Sequence, residues 1–432
     1  MTSSHPPTSA PSLPRLLAGV SKQRWVKLAR HRALYPIPPL PGNRPVESYI
    51  SAVESAGLRG RGGGAFPTGR KMRTVSVGRT RPIVVINGSE GEPASRKDEM
   101  LLRYVPHLVL DGALVSAAAI GADEVIICID RNKESSVRAL DSAVAERFGT
   151  GEPTIPIHVE PIPAKYVAGE ETALVHFLNR GEAKPTLTPP RPFEKGVDGR
   201  PTLIINVETS AHIAQIIRWG PHWFRDQGTN DEPGTMLVTL SGDVTRGGVF
   251  EVPVGEQIAT ILRTAGSNDS FSAVLLGGYY GTWLSADVAL STTLDNGHLR
   301  PLGSGAGCGA IVVLPGSACG LRETARILTW LAGQTAGQCG PCVHGLAAIA
   351  RGMTDLASGR STAHDVTLLH RWAGQVEGRG ACSFPDGAVR LLRSALRVFA
   401  DDVDHHLSRG ACSGTTRTPV MPIPAQSVTP WR

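Results

Sequence analysis

Residues 81–87 of this 432-residue chain, RPIVVIN, form an unbroken apolar run that is β-branched at its centre. A run without alternation reads as a strand covered on both faces, as in a parallel sheet. Parallel strands need long crossovers, and the chain supplies them. A helical segment around 105–121 leads to DEVIICID (123–130), a second near 133–147 leads to TIPIHVE, and PTLIINVET (201–209) gives a fourth strand. The fold class is therefore α/β, with a doubly wound, Rossmann-like domain over 45–230. Ligands of such sheets bind beyond the carboxyl ends of the strands. The first strand runs there directly into Asn87-Gly88-Ser89-Glu90-Gly91-Glu92-Pro93.

A short helix over 45–57, apolar at Val46, Tyr49, Ile50 and Val53, delivers GLRGRGGGAFPTGRK (57–71). Six glycines in fifteen residues let the backbone take positive φ and let a ligand approach without meeting a Cβ. Successive N–H groups form an anion nest, to which Arg59, Arg61 and Lys71 add charge. No Walker pattern is present, so the spacing alone leaves a flexible linker as the plain alternative. The segment KYVAGEETALVHF (165–177) then places Gly169 before Glu170-Glu171 at a helix start. Favourable first-turn charges explain that pair taken alone. Two acidic sites beside a phosphate nest suit a nucleotide better, with phosphates at one end and ribose hydroxyls at the other.

From Asp231 the texture changes to short strand-like runs (TMLVTLSGDV, GVFEVPVGEQ, AVLLGGYYGTWL), a β-rich module taken over 231–300. Residues 301–407 read as helical, with helices over 321–337, near 343–357, near 364–376 and over 394–407. The Pro/Ser/Thr-rich residues 1–44 read as disordered or linker, and the Thr/Pro-rich 408–432 as a disordered tail. Seven cysteines, an odd number clustered late, favour metal or redox chemistry over a disulfide framework. Cys339-Gly340-Pro341-Cys342 with a distant Cys382 can hold much of an iron–sulfur site. Zinc there lacks a second close pair; a thioredoxin-like redox pair lacks its βαβ setting. Cys128, Cys308 and Cys319 read as buried structural cysteines. A net charge of +6 without basic blocks argues against nucleic acid, and no apolar run is long enough to span a membrane. With no apolar signal region at the start, the expectation is a cytoplasmic protein, free or peripheral to a membrane complex.

These motifs in this order resemble the flavoprotein NADH-binding subunit of respiratory complex I and its relatives in NAD-linked hydrogenases and formate dehydrogenases. The resemblance runs over roughly 45–400. In that family GLRGRGGAGFPTGxKW cradles FMN; here the stretch is GLRGRGGGAFPTGRKM. NADEGEP is matched by NGSEGEP, YxCGEETAL by YVAGEETAL, and ESCGxCxPCRxG by QTAGQCGPCVHG, with Cys382 at the distal ligand position. The β-rich module resembles the family's SLBB (β-grasp) domain. The resemblance implies FMN against Gly60, Gly62, Gly63, Lys71, Asn87, Glu90, Gly169, Glu170, Glu171 and Asn206. It implies NADH as substrate, near Phe66, Glu92, Tyr166, Glu171 and Lys195. It further implies a [4Fe–4S] cluster on Cys339, Cys342 and Cys382, and no catalytic side chain beyond the flavin. Electrons would pass to a ferredoxin-like carrier, a quinone-linked acceptor or other redox subunits; a relay between proteins that no longer oxidises NADH is the alternative. Ala336 stands at the first cluster cysteine, leaving His344 and Cys412 as candidate fourth ligands. Ser89, Ile205, Asp198 and Thr74 also depart from the pattern, the last two at nucleotide-packing positions.

Overall fold

The four apolar runs pair in parallel as β1 (Ile83–Gly88), β2 (Val125–Asp130), β3 (Ile157–Ile162) and β4 (Thr202–Asn206), in the order β3-β2-β1-β4. The computed structural model describes residues 13–20, 25–38, 46–78, 80–150, 155–268, 270–412, 414, 419–424 and 430–432. Alternate strand residues serve two cores. Val84, Ile86, Val125, Ile127, Leu203 and Ile205 face the helices Val46–Ala56, Pro106–Ile120, Glu134–Phe148 and Val207–Trp219. Ile83, Val85, Ile126, Cys128 and Ile204 face the segment that carries Ala168, Leu174, Ala183 and Val197. Burial on both faces explains why these strands show no polar alternation in the sequence.

The helix Pro106–Ile120 starts on a proline, ends at left-handed Gly121 (φ 73°), and is buried at nearly every position. A Cβ on Gly112 would come within 1.8 Å of the Ser210 carbonyl oxygen, so this helix and Val207–Trp219 meet backbone to backbone. Asp111, one residue earlier, accepts from His31 at 2.7 Å and Arg147 at 2.5 Å, and from Arg218. Burial alone would raise its carboxyl; these partners hold it well below its ordinary value.

His31 belongs to a helix, Leu28–Leu34, in a region expected to be disordered or linker. Leu16, Val26 and Tyr35 are buried, and the Leu16 and Leu17 N–H groups donate to Glu251. The start of the chain docks because its few apolar residues and His31 find buried partners distant in sequence. Composition cannot register such partners. Residues 1–12, 21–24 and 39–45 of that expected linker lie outside the described residues.

A second, mixed sheet follows, with β5 (Thr235–Gly242), β6 (Gly248–Pro253), β7 (Phe271–Leu276), β8 (Thr282–Ser285) and β9 (Ala310–Pro315) in the order β6-β5-β9-β7-β8. Because β9 is the central strand, parallel to β5 and antiparallel to β7, the sheet runs past the boundary expected at residue 300. One face packs on the short helix Ile258–Thr264. Ala273, Leu275, Val312 and Leu314 on the other face join the core of the C-terminal helices Gly320–Gly333, Ala347–Ala357, Ala363–Val376, Phe384–Val398 and Ala400–Arg409. The single helix expected over 394–407 is thus two, the first opening at Phe384-Pro385 directly after Cys382 and Ser383. Among the described residues no single helix is long and apolar enough to cross a membrane.

Gly112→Ala tests the helix contact. The added methyl must displace a backbone carbonyl, and overpacking of this kind costs about 3 kcal/mol. A fall in the thermal unfolding midpoint, with the circular dichroism spectrum unchanged at low temperature, is the expected outcome.

Candidate functional site

The glycine loop is a closed-neck hairpin. Gly60 N–H donates to Phe66 O and Thr68 N–H to Leu58 O, both at 2.9 Å. At its tip Gly62, Gly63 and Gly64 are exposed; Gly63 has φ +106°, and a Cβ on Gly64 would meet nothing. A Cβ on Gly62 would lie 3.3 Å from Asn206 Cβ, so the tip sits over the end of β4. Lys71, in the helix Thr68–Ser76, pairs with Glu171 at 2.8 Å, which joins two residues expected around one ligand. Phe66 is half exposed beside them. Arg61 departs from the expected anion nest. It is buried and turned inward, its guanidinium donating to Thr235 O at 2.9 Å.

At the strand ends Asn87 and Asn206 are register partners on β1 and β4. Asn87 donates to the Gly169 carbonyl at 2.8 Å. A Cβ on Gly169 would stand 2.0 Å from Ser89 Oγ, so a side chain there would have to displace the Ser89 hydroxyl. Asn206 caps the helix Val207–Trp219, accepts from Lys97 at 3.0 Å and donates to Asp98 at 2.6 Å. Lys97 is almost wholly buried between Asp98 at 2.7 Å and Glu208 at 3.1 Å. Burial would lower its amine, but Asp98 and Glu208 raise it above its ordinary value. Burial likewise opposes ionisation of Glu208, yet Lys97 and His212 bring it down to about 2.

The expected acidic residues divide. Glu90, at φ 35°, accepts from Ser95, Asp98 N–H and Glu99 N–H and so caps the helix Lys97–Tyr104. Burial and Asp98 push its carboxyl up to about 7. Glu92 accepts from Tyr166 OH at 2.9 Å, Tyr279 N–H at 2.7 Å and Ala94 N–H at 3.1 Å; burial raises it to about 7. Glu170 caps its own helix through Thr172 and Ala173, the plain first-turn role. Lys195 is exposed on the approach to β4.

Cys339, Cys342 and Cys382 line one partly open cavity together with Ala336, Gln338 and Val167. Cys342 lies at the start of a π-helical turn, Pro341–Leu346, a geometry common at functional positions. Burial and the Cys339 sulfur push the Cys342 thiol up to about 12, and burial also raises Cys382. Three soft donors around an open space, with no cation in the lining, suit a group that brings its own positive charge. Neither expected substitute for Ala336 is in this lining. His344 is exposed, and Cys412 lies beside Cys319 and His406. Gln338, which sequence spacing did not single out, is there instead.

One segment touches both places. Val167 lines the cysteine cavity, while Gly169 O is held by Asn87. The Tyr166 ring stands edge-on to Tyr280 (4.7 Å), Trp330 (5.4 Å) and Phe384 (5.8 Å).

Residues 53–215 match the family described as the Nuo51 FMN-binding domain, and 322–406 match the NADH-ubiquinone oxidoreductase-F iron-sulfur binding region. An NADH-quinone oxidoreductase F subunit of Rhizobium meliloti (strain 1021) is 31% identical over 384 residues, covering 85% of this chain and 90% of that protein. The corresponding F subunit of Mycobacterium tuberculosis (strain ATCC 25618 / H37Rv) is 32% identical over 386 residues, 85% and 86%. The chain belongs to the family of NADH-quinone oxidoreductase F subunits. Among solved structures, an NAD+-reducing [NiFe]-hydrogenase in the H2-reduced state aligns with a TM-score of 0.78 at 28% identity over 85% of this chain. The chain spans 63% of that hydrogenase chain. The FMN-binding match contains the glycine loop and all of β1–β4; the iron–sulfur match contains Cys339, Cys342 and Cys382. The mixed sheet lies between the two.

Lys97→Met keeps the stem and deletes the charge that balances Asp98 and Glu208. Breaking a buried ion network in this way costs about 3–5 kcal/mol. The expected result is a lowered unfolding midpoint, largest at neutral pH where both carboxylates ionise.

Proposed function

We propose that the chain is the NADH-oxidising, electron-distributing subunit of a redox assembly, taking hydride from NADH onto FMN and passing electrons singly to a [4Fe–4S] cluster. The carrying observation is the Tyr166–Glu170 segment, which belongs at once to the glycine-loop site and to the wall of the cysteine cavity. When bound, FMN supplies a two-electron acceptor that releases electrons one at a time, and the cluster a one-electron carrier. The protein's part is geometry. Gly62 and Gly63 present backbone N–H groups to the phosphate, with Gly60 closing the loop's neck and Lys71 as the nearby cation. Asn87 and Asn206 fix the floor of the site, and Glu90 and Glu170 hold its loops by capping helices. Phe66, Tyr166, Glu171 and Lys195 are the residues proposed to meet NADH, with Glu92 acting through the Tyr166 hydroxyl it accepts from. Cys339, Cys342 and Cys382 would hold the cluster, and Ala336 and Gln338 line the same cavity without a thiolate.

The mixed sheet with its single helix is proposed as the SLBB-like β-grasp module. The onward acceptors are other redox subunits or a ferredoxin-like carrier, and the location is cytoplasmic and peripheral to any membrane complex. A relay that no longer oxidises NADH is the second reading. Thr74, whose hydroxyl bonds back to Arg70 O, and exposed Asp198 offer no aromatic face to a dinucleotide. Anaerobic titration separates the two: bleaching of the flavin absorbance by NADH supports the first, and reduction only by dithionite supports the relay.

Gly63→Val tests the cradle. The branched side chain enters the ligand's path at a backbone angle that L-residues rarely take. Flavin per folded chain should fall by about tenfold, equivalent to about 1.4 kcal/mol; unchanged flavin would remove the assignment. At the cavity, Ala336→Cys should raise iron per chain and lengthen survival in air, whereas Cys339→Ser should lose iron. Iron and sulfide analysis with EPR reads both.

A further inference from the structure

Three metal-ligating side chains meet outside the sites above. Cys319 caps the helix Gly320–Gly333, His406 lies in the last turn of Ala400–Arg409, and Cys412 follows Gly410, whose φ of 84° turns the chain back. Their ligand atoms all lie within 4.8 Å of one another, with Cys319 Sγ 3.7 Å from His406 Nε2. Cys319 and His406 are 6% and 1% exposed. His406 Nδ1 is 3.0 Å from the Leu356 carbonyl and so carries the proton, leaving the Nε2 lone pair toward the sulfurs. A ring nitrogen fixed by a backbone carbonyl is the usual support of a metal-bound histidine.

We propose that Cys319, His406 and Cys412 form a zinc site that fastens the carboxyl-terminal segment to the helical domain. The donor set, two sulfurs and an imidazole, suits zinc, and its compactness suits one ion. Zinc takes the Nε2 lone pair in place of the Cys412 N–H, which occupies it at 3.1 Å, and displaces one proton from each thiol. No electron is transferred.

The tail is shaped for this approach. A Cβ on Gly359 would stand 2.3 Å from Ala411 N, and one on Gly414 3.4 Å from Cys319 Cβ. Beyond the site, Val420 and Met421 N–H groups donate to Glu323, Met421 is buried, and the Trp431 carbonyl accepts from Ala183 N–H. The segment expected to be disordered is therefore docked at Cys412, Val420, Met421 and Trp431; residues 413, 415–418 and 425–429 lie outside the described residues. Cys319 and Cys412 fall outside both family matches, so the site stands independently of the flavin–cluster reading.

The test is zinc and iron content of the full chain purified without oxygen, incubated with zinc chloride and desalted. Wild type is compared with Cys412→Ser, Cys319→Ser and the double variant Cys339→Ser/Cys342→Ser. About one zinc per chain is expected in wild type and in the double variant. In Cys412→Ser, zinc should fall by about tenfold, with iron unchanged. Because Cys412 is only partly buried, that variant should fold even if Cys319→Ser does not. Chelating the zinc should also speed hydrogen exchange over 419–424 while leaving Phe384–Val398 protected. Zinc retained in Cys412→Ser, zinc lost only with Cys339 and Cys342, or a Cys319–Cys412 disulfide in the anaerobic protein would overturn the proposal.

Discussion

The buried Lys97 ammonium is the point on which the site depends. It joins Asp98 at the start of one helix, Glu208 in the first turn of another, and Asn206 at the end of β4. Glu208 in turn accepts from Leu237 N–H in β5 and faces Arg61 at 3.8 Å. One cation thus fixes the strand end, the inward anchor of the glycine loop and the first strand of the mixed sheet. An apolar replacement of the whole network, cation and carboxylates together, could give equal or greater stability. It could not set Asn206 and the loop tip at one distance, because dispersion has no direction. The tip itself is left with glycine and exposed backbone, a loop held at its base and open at its end.

Much of this was legible from residues alone. The parallel strands were readable because burial on both faces removes polar alternation, and the glycine loop and C-x-x-C because their spacing is local. What stayed hidden depends on partners far away in sequence. Arg61 and Lys71 look alike in a basic, glycine-rich string, yet one reaches a carbonyl in β5 and the other an exposed glutamate. Glu90, Glu92 and Glu170 read as ligand-facing carboxylates. They spend their oxygens on backbone N–H groups, because helix starts and turns leave donors that the nearest acid satisfies. The helix Leu28–Leu34 was lost in a Pro/Ser/Thr-rich region because His31 counts as polar in a periodicity argument, yet is buried against Asp111.

The seven cysteines show the same limit from another side. Cys339 and Cys342 declare themselves by spacing, whereas Cys319 and Cys412 are brought together only by the return of the tail. A cubane cluster places its thiolates farther apart than a single ion does, around a volume that must stay empty of side chains. Cys339, Cys342 and Cys382 stand around one partly open cavity. Cys319, His406 and Cys412 have the opposite form, donors nearly in contact. The two groups therefore differ in the metal species they can hold by geometry, before any difference in affinity.

Their separation also bears on electron flow. A cluster exchanging electrons with a bound flavin has to share a wall with it, and the Tyr166–Glu170 segment provides one, backed by Tyr280, Trp330 and Phe384. Zinc has no accessible redox change, so an ion at Cys319 could carry nothing along that path. What it could do is hold the Cys412 end of a tail whose Trp431 carbonyl accepts from Ala183 N–H.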